Sequence, residues 1–306
     1  MADESSIWDV GCILAWIEGF LRDRGDVNPR LSAQWLVSEA IGCSRIELYA
    51  DLRRPLSESE RATLRDWTRR RGAGEPLQYL TGSTDFRFIT VKVRPGVLIP
   101  RPETEVLVSE ALEAVKTPGR FVQEGPDPSL RIVDAGTGSG CIACSLASEL
   151  ASARVLAGDV SPAALELARE NVADLGLSDR VRVVESDLLA AVPEAWHGRT
   201  DLVISNPPYI PSVVLEGMDA EVTGFEPALA LDGGADGLDL YRRLVPQALE
   251  VLAPRGVLAV ELHETCLEQA ARLAREAGFA EARIASDLAA RPRVLVARKG
   301  SPTGLS

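Results

Sequence analysis

Arg131-Ile132-Val133-Asp134-Ala135-Gly136-Thr137-Gly138-Ser139-Gly140 decides the fold. The apolar residues at its start read as a short buried strand. The glycines let the backbone turn tightly and approach a ligand closely. A helix after the loop would aim its free N–H groups at that ligand and favour an anionic group there. Strand–helix alternation continues downstream, the mark of a parallel α/β sheet. The strands read as Arg131 to Asp134, Arg154 to Asp159, Val181 to Ser186, Asp201 to Ser205 and Val257 to Leu262. A last pair, near Ala282 to Ala285 and Arg293 to Ala297, is separated by too few residues for a crossover helix. It is expected to be an antiparallel hairpin at the sheet edge.

The second strand ends in Asp159, 19 residues after Gly140. A carboxylate there can accept both hydroxyls of a ribose, in a dinucleotide or a nucleoside. The glycine spacing separates the two. A dinucleotide fingerprint is G-x-G-x-x-G, whereas here the third glycine comes one residue early and position 141 is Cys. S-adenosylmethionine needs one helix N-terminus for its carboxylate and one acid for its ribose, and Gly136 to Gly140 with Asp159 supply both. Asp187, after the third strand, sits where an adenine amino group would pass.

The fourth strand runs into Asn206-Pro207-Pro208-Tyr209. Neither proline has an N–H to donate, so the strand cannot continue. Asn206, ahead of Pro207, is pushed toward extended geometry. The blander reading is a proline-rich turn with an incidental Tyr. The sharper one is a rigid shelf at the carboxyl end of a strand, with an amide side chain, spare carbonyls and an aromatic ring. Such a shelf can hold a planar –NH2 group, two acceptors taking its two hydrogens while the ring packs on its face. The glycine loop, Asp159, Asp187 and Asn206 end four successive strands, the edge where open α/β sheets bind ligands.

Upstream, residues 1–72 read as helical. Apolar residues recur at helical spacing in Ile13, Leu14, Ile17 and Leu21, then in Leu31, Trp35, Leu36 and Ala40. Ser57 and Glu60 form a capping-box signature. Trp8, Trp16, Trp35 and Trp67 suit the core of a compact helical bundle. Arg69-Arg70-Arg71 reads as a solvated helix end, where cations suit the macrodipole. Residues 84–94 alternate in strand fashion through Phe86, Phe88, Val91 and Val93 and read as a hairpin linking two domains. In Leu98-Ile-Pro-Arg-Pro-Glu-Thr-Glu105, Pro102 can open a helix. Glu103 and Glu105 fall in its first turn, where anions are favoured; a place near a cationic ligand is the alternative.

The chain has 306 residues and a net charge of −12, with 13 acids against 11 Lys and Arg in residues 1–82. A general nucleic-acid binder would need a basic face. No apolar run approaches a membrane span. The start, Met1-Ala-Asp-Glu4, lacks the basic region of a signal peptide, so a cytoplasmic location is expected. Five cysteines in no paired pattern argue against a disulfide framework. Cys141 and Cys144 read as small packing residues. His263-Glu264 lacks the second zincin ligand, since position 267 is Leu, so no metal is expected.

The sequence resembles the peptide chain release factor glutamine N5-methyltransferases. The similar segments are Glu75-Pro-Leu-Gln-Tyr79 with Gly82, Leu98 to Glu105, Asp134 to Gly140, Asn206 to Tyr209, Phe225-Glu-Pro-Ala-Leu229 and Gly233-Gly-x-x-Gly237-Leu. Asn-Pro-Pro-Tyr is shared with nucleic-acid amino-methyltransferases; Leu98 to Glu105 and Phe225 to Leu229 are more specific. The resemblance implies a Rossmann-like class I S-adenosylmethionine-dependent methyltransferase sheet with a small helical domain and a β-hairpin linker. The corresponding segments are a bundle at 1–82 that docks release factors, a linker at 83–100 and a catalytic domain at 101–306. It implies cofactor contacts at Gly136, Thr137, Gly138, Ser139, Gly140, Asp159, Asp187, Leu188 and Asn206, with S-adenosylhomocysteine as product. Asn206, Pro207, Pro208 and Tyr209 would hold the substrate glutamine of a Gly-Gly-Gln loop, with Asn206, Pro207 and Tyr209 catalytic. The implied partners are release factors 1 and 2, with no direct nucleic acid, no membrane and a monomeric enzyme. A ribosomal-protein glutamine or a nucleic-acid amino group is the alternative substrate. The family usually has Gly two residues after Glu261 and Gln three beyond that; here these are His263 and Cys266. Leu188 stands where relatives often carry an aromatic ring.

Overall fold

The computed structural model describes residues 8–116, 129–215, 217, 224–287 and 289–301. The acidic start from Met1 to Glu4 lies outside them. The chain divides into two units, Met1–Ser83 with Asp219–Phe225, and Thr84–Met218 with Glu226–Ser306.

The first unit is helical, with α1 Val10–Arg22, α2 Pro29–Ile41, α3 Glu58–Arg71 and α4 Leu77–Thr81. Local chemistry sets the starts. Asp9 caps α1 by accepting the Cys12 N–H at 2.7 Å, and α2 opens on Pro29. The Ser57–Glu60 capping box forms in both directions. Ile17, Leu21, Leu36, Leu48 and Leu64 fill the core. The tryptophans do not, contrary to expectation. Trp8 and Trp67 pack only half-buried against the core, Trp35 is half-buried beneath the Arg45 guanidinium, and Trp16 is 42% exposed, stacked on Phe20 with centroids 5.4 Å apart. Aliphatic side chains fill the narrow space between helices; the larger indoles cover its rim. The arginine run is also not simply solvated. Arg71 is paired with Asp26 at 2.7 Å, both largely buried, and Arg70 with Glu75 at 2.6 Å.

Next in the chain comes a hairpin, β1 Ser83–Phe86 and β2 Ile89–Lys92. Its turn falls at Arg87, which has φ 54°. Phe86, Val91 and Val93 are buried as the alternation predicts, but Phe88 sits at the turn and is 82% exposed. The Arg87 guanidinium anchors the turn, donating to Glu149 at 2.7 and 2.9 Å and to the Glu105 carbonyl at 3.0 Å.

α5 Pro102–Lys116 follows, and then a seven-stranded sheet with its helices. The strands are β3 Leu130–Ala135, β4 Ala153–Asp159, β5 Val181–Glu185, β6 Thr200–Ser205, β7 Leu252–Glu261, β8 Phe279–Ser286 and β9 Pro292–Lys299. The remaining helices are α6 Cys141–Glu149, α7 Pro162–Asp174, α8 Ser212–Leu215, α9 Asp239–Val251 and α10 Leu267–Ala277. The sheet order is β5-β4-β3-β6-β7-β9-β8. The pairs from β5 to β7 are parallel, and β9 is antiparallel to both β7 and β8, the expected edge hairpin. β7 starts earlier than its apolar run suggests, because Leu252 pairs with Thr200 before a register shift restores pairing at Val257.

Successive side chains of β3 alternate between two cores. Ile132 faces the cluster built with α5 and α6; Val133 faces the one built with α9 and α10. Strand order reverses between β3 and β6, so the chain leaves these neighbours in opposite senses and opens a crevice at their carboxyl ends. The register puts Ala135 beside both Gly158 and Ser205. The next residues, Gly136, Asp159 and Asn206, therefore emerge side by side.

Candidate active site

A cavity of about 390 Å³ occupies this crevice. Gly136, Thr137, Gly138 and Ser139 line it, with Asp159, Asp187 and Leu188 beyond them. Asn206 and Pro208 line it from the β6 side. Gly140, Pro207 and Tyr209 are not in the wall.

The glycine loop is shaped from below. The Gly136 and Thr137 N–H groups donate to the Gly158 carbonyl at 2.8 and 2.9 Å. The Thr137 hydroxyl donates to Asp134 at 2.6 Å. Gly136, Gly138 and Gly140 all have positive φ. A Cβ on Gly136 would meet no atom of the other described residues within 4 Å, so the loop leaves space over its backbone. Asn171, buried on α7, ties the loop down by donating to the Ser139 carbonyl at 2.9 Å. It also accepts the Lys92 N–H at 2.8 Å, joining the loop to β2.

Asp159 accepts the Gly138 N–H on one oxygen and the Ser161 N–H on the other, both at 2.9 Å. Two backbone donors fix its orientation at the cavity it lines. Asp187 is more committed than expected, its carboxylate pairing with Arg243 at 2.6 Å at the exposed rim. Leu188 is buried and has φ 52°. The Ser186 hydroxyl holds that turn by donating to the Leu188 carbonyl at 2.8 Å.

Beneath the loop, Asp134 is fully buried, and burial pushes its carboxyl up to about 7 against the opposing hydrogen bond from Thr137. Cys141 and Cys144 are free thiols that burial pushes up to about 12. They are protonated packing residues, as the sequence suggests.

The shelf carries a second set of contacts. Asn206 Nδ2 donates to the Thr104 hydroxyl at 3.1 Å, which leaves Oδ1 as the amide end without a protein partner among the described residues. The Tyr209 hydroxyl donates to Glu261 Oε1 at 2.9 Å. Burial, reinforced by the Glu261 charge, pushes the Tyr209 phenol up, so it stays protonated. Behind Tyr209 lies the loop from Gly233 to Gly237. A Cβ on Gly233 would stand 2.7 Å from Tyr209 Cα, and one on Gly237 2.4 Å from the Tyr209 carbonyl oxygen. These glycines are there because the shelf's backbone occupies the space a side chain would need. Cys266 closes this packing, its thiol 3.2 Å from the Asp236 carbonyl. His263 is half-buried and engages Thr265 at 2.8 Å.

Leu98 to Arg101 also line the cavity, leading into the helix turn that carries Thr104. Glu226 holds them, accepting the Ile99 N–H at 3.2 Å and pairing with Arg101 at 2.6 Å. No local pattern in the sequence marks Thr104, Asn171, Glu226 or Glu261 as a site residue. The specific segments Leu98 to Glu105 and Phe225 to Leu229 were the signal for the first and third. Among the described residues no cluster of His, Cys, Asp or Glu is fit to hold a metal ion, and no helix is long and apolar enough to cross a membrane.

A family model described as the PrmC N-terminal domain matches residues 13–82, and one described as a methyltransferase small domain matches residues 120–217. A release factor glutamine methyltransferase of Geobacter sulfurreducens is 40% identical over 300 residues, covering 98% of this chain and 100% of the relative. One from Moorella thermoacetica is 43% identical over 274 residues, covering 89% and 92%. This chain belongs to the release factor glutamine methyltransferase family.

Among solved structures, the catalytic domain of human METTL16 in complex with an RNA hairpin has a TM-score of 0.54 at 17% identity, covering 70% of this chain and 76% of that one. The N-terminal domain of human METTL16 in complex with S-adenosylhomocysteine has a TM-score of 0.50 at 19% identity, covering 69% and 76%. Both likenesses establish the class I methyltransferase fold. The cofactor of this glutamine methyltransferase is S-adenosylmethionine, and the donor set fits it: an open glycine cradle, an oriented carboxylate at Asp159 and an apolar wall at Leu188.

Proposed function

We propose that this methyltransferase acts on the side-chain amide N5 of the glutamine in the Gly-Gly-Gln motif of peptide chain release factors 1 and 2, and thereby modulates translation termination. The orientation of Asn206, with Oδ1 left as an acceptor beside the glycine cradle, carries the reading. S-adenosylmethionine supplies an electrophilic methyl group and becomes S-adenosylhomocysteine.

The acceptor nitrogen is a weak nucleophile, since its lone pair is delocalised into the carbonyl. Asn206 Oδ1 and the Pro207 carbonyl accept its two N–H bonds, which fixes its direction of approach. As the new N–C bond forms and the S–C bond breaks, these acceptors stabilise the positive charge growing on nitrogen. The proton passes to solvent water after transfer, so no side chain has to act as a base. Pro208 and the ring of Tyr209 keep the shelf flat against the amide plane. Positioning of this kind supplies roughly 7–11 kcal/mol.

Gly136 to Gly140 cradle the anionic end of the cofactor, Asp159 its ribose and the Asp187-Leu188 turn its adenine. The helical unit at residues 1–82 docks the release factor, with the hairpin segment at 83–100 between it and a catalytic domain at 101–306. The enzyme works as a monomer in the cytoplasm without nucleic acid. Incubation with labelled cofactor decides the substrate, offering release factors, ribosomal proteins, ribosomal RNA and DNA side by side. Mass spectrometry should place a single added methyl on the Gly-Gly-Gln glutamine. Label in ribosomal protein or nucleic acid, with none in release factor, would overturn the reading.

A further inference from the structure

Asn206 presents two chemically opposite ends on one planar group, an acceptor oxygen and a donor –NH2. Only the acceptor end suits a substrate amide N–H. The end that faces the cavity is therefore a determinant of what the site accepts, and something must set it.

The groups that meet the shelf from behind can do so. Thr104, in the first turn of α5, is 2% exposed, and its hydroxyl oxygen receives Asn206 Nδ2 at 3.1 Å. Glu261, the last residue of β7, is fully buried. One of its oxygens receives the Tyr209 hydroxyl, and the other is buried without a direct hydrogen-bond partner among the described residues. The Thr104 hydroxyl adjoins that carboxyl and, with Tyr209, favours its charged form against the burial that pushes it up; Glu103 and Arg293 are the other charges that act on it. A hydroxyl has one hydrogen. If Thr104 directs that hydrogen at Glu261, its oxygen can only accept from Asn206, which must then present Nδ2 to it.

We propose that Thr104 and Glu261 are positioning residues that fix the flip of the Asn206 carboxamide, so that its oxygen faces the substrate and the site selects an N–H donor, a primary amide, over a carboxylate. Glu261 acts at both ends of the shelf, through Thr104 on Asn206 and directly on the Tyr209 hydroxyl. The inference rests on the reading that Asn206 Oδ1 receives the substrate amide.

The test uses the full chain with release factor as substrate. Thr104→Val keeps the shape and removes the hydroxyl; Thr104→Ser keeps the hydroxyl. Thr104→Val should lower kcat about 100-fold, the cost of a mispositioned reacting group, with cofactor Kd unchanged by calorimetry. Thr104→Ser should restore kcat to within about threefold of the parent, since its hydroxyl repeats the hydrogen-bond roles of threonine. Adding Thr104→Val to Asn206→Ala should cost nothing further, because both act through one contact. Parental kcat in Thr104→Val, a serine variant as slow as the valine one, or an additive loss in the double variant would each overturn the proposal. Should Thr104→Val fail to fold, Glu261→Gln serves in its place: a kcat drop of about tenfold or more at unchanged cofactor Kd supports the proposal, and parental kcat overturns it. A parent enzyme that leaves release factor unmodified would instead overturn the substrate assignment.

Discussion

Glu226 closes on Arg101 at 2.6 Å across 125 residues of sequence. The carboxylate is buried, while the arginine is over one-third exposed. Burial pushes the Glu226 carboxyl up, and Arg101 and the Ile99 N–H oppose that. One side chain therefore holds the Leu98–Arg101 wall of the cavity through a charge and a backbone donor together.

Glu226→Ala removes both partners at once. Breaking a buried pair costs about 3–5 kcal/mol, and solvent around Arg101 reduces this to roughly 2 kcal/mol. Urea unfolding should show that loss. The KM for release factor should rise more than the Kd for the cofactor, since Asp159 and the glycine loop are untouched. Unchanged stability and KM would mean the wall holds itself.

Gly237→Ala tests the packing behind the shelf. The added Cβ would lie 2.4 Å from the Tyr209 carbonyl oxygen, at a residue with φ 77°. Neither backbone can yield without moving Pro208. A displacement near 1 Å costs about 100-fold in rate. Steady-state kinetics should show kcat falling by that order while the cofactor still binds.

Asn206→Ala deletes the acceptor itself. Loss of one preorganised contact to developing charge costs about 3–4 kcal/mol of transition-state stabilisation. Single-turnover methylation should slow accordingly. Near-parental turnover would remove Asn206 from the chemistry.

Asp159→Ala should weaken cofactor binding far more than release-factor binding, because Asp159 is on the glycine-loop side of the cavity. It also strands the Gly138 and Ser161 N–H groups that the carboxylate now receives. Part of the loss is therefore disorder in the loop. Asp159→Asn keeps an acceptor oxygen and should lose less. Calorimetry with unchanged cofactor affinity in both variants would refute the ribose role.

What the sequence reveals of this site, and what it hides, follows contact range. The glycine loop, the strand ends and the diproline corner are local features, set by φ preferences and missing N–H groups within a few residues. They were legible, and parallel topology then brought Gly136, Asp159 and Asn206 together. The caps at Asp9 and Ser57 were local in the same way. The supporting contacts are not. Thr104 meets Asn206 across 102 residues, and Asn171 meets Ser139 across 32. No periodicity in one chain announces such pairs. The misplaced tryptophans have the same origin, since hydrophobicity sets the preference for burial but the space between α1, α2 and α3 sets which side chains fit. Phe88 shows the limit of alternation, because a two-residue turn breaks the period where the pattern seems to continue.

Asp134 gives the fold a pH dependence with a defined sign. Its carboxyl moves from an ordinary 3.8 to about 7, first because it is buried, with Asp159 adding to the effect and Thr137 and the Ala143 N–H opposing it. The folded state thus binds this proton more tightly than the unfolded chain does. The associated stability is fully present below about pH 4, falls as pH rises through about 7, and is absent above that. Its full size is on the order of 4 kcal/mol. Asp134→Asn mimics the neutral acid at every pH and should remove the dependence. Urea midpoints measured from pH 5 to pH 8 should fall for the parent relative to Asp134→Asn. Because Thr137, within the glycine loop, donates to Asp134, cofactor affinity should weaken over the same interval in the parent alone. Parallel pH profiles for the two proteins would show that Asp134 keeps its charge when buried.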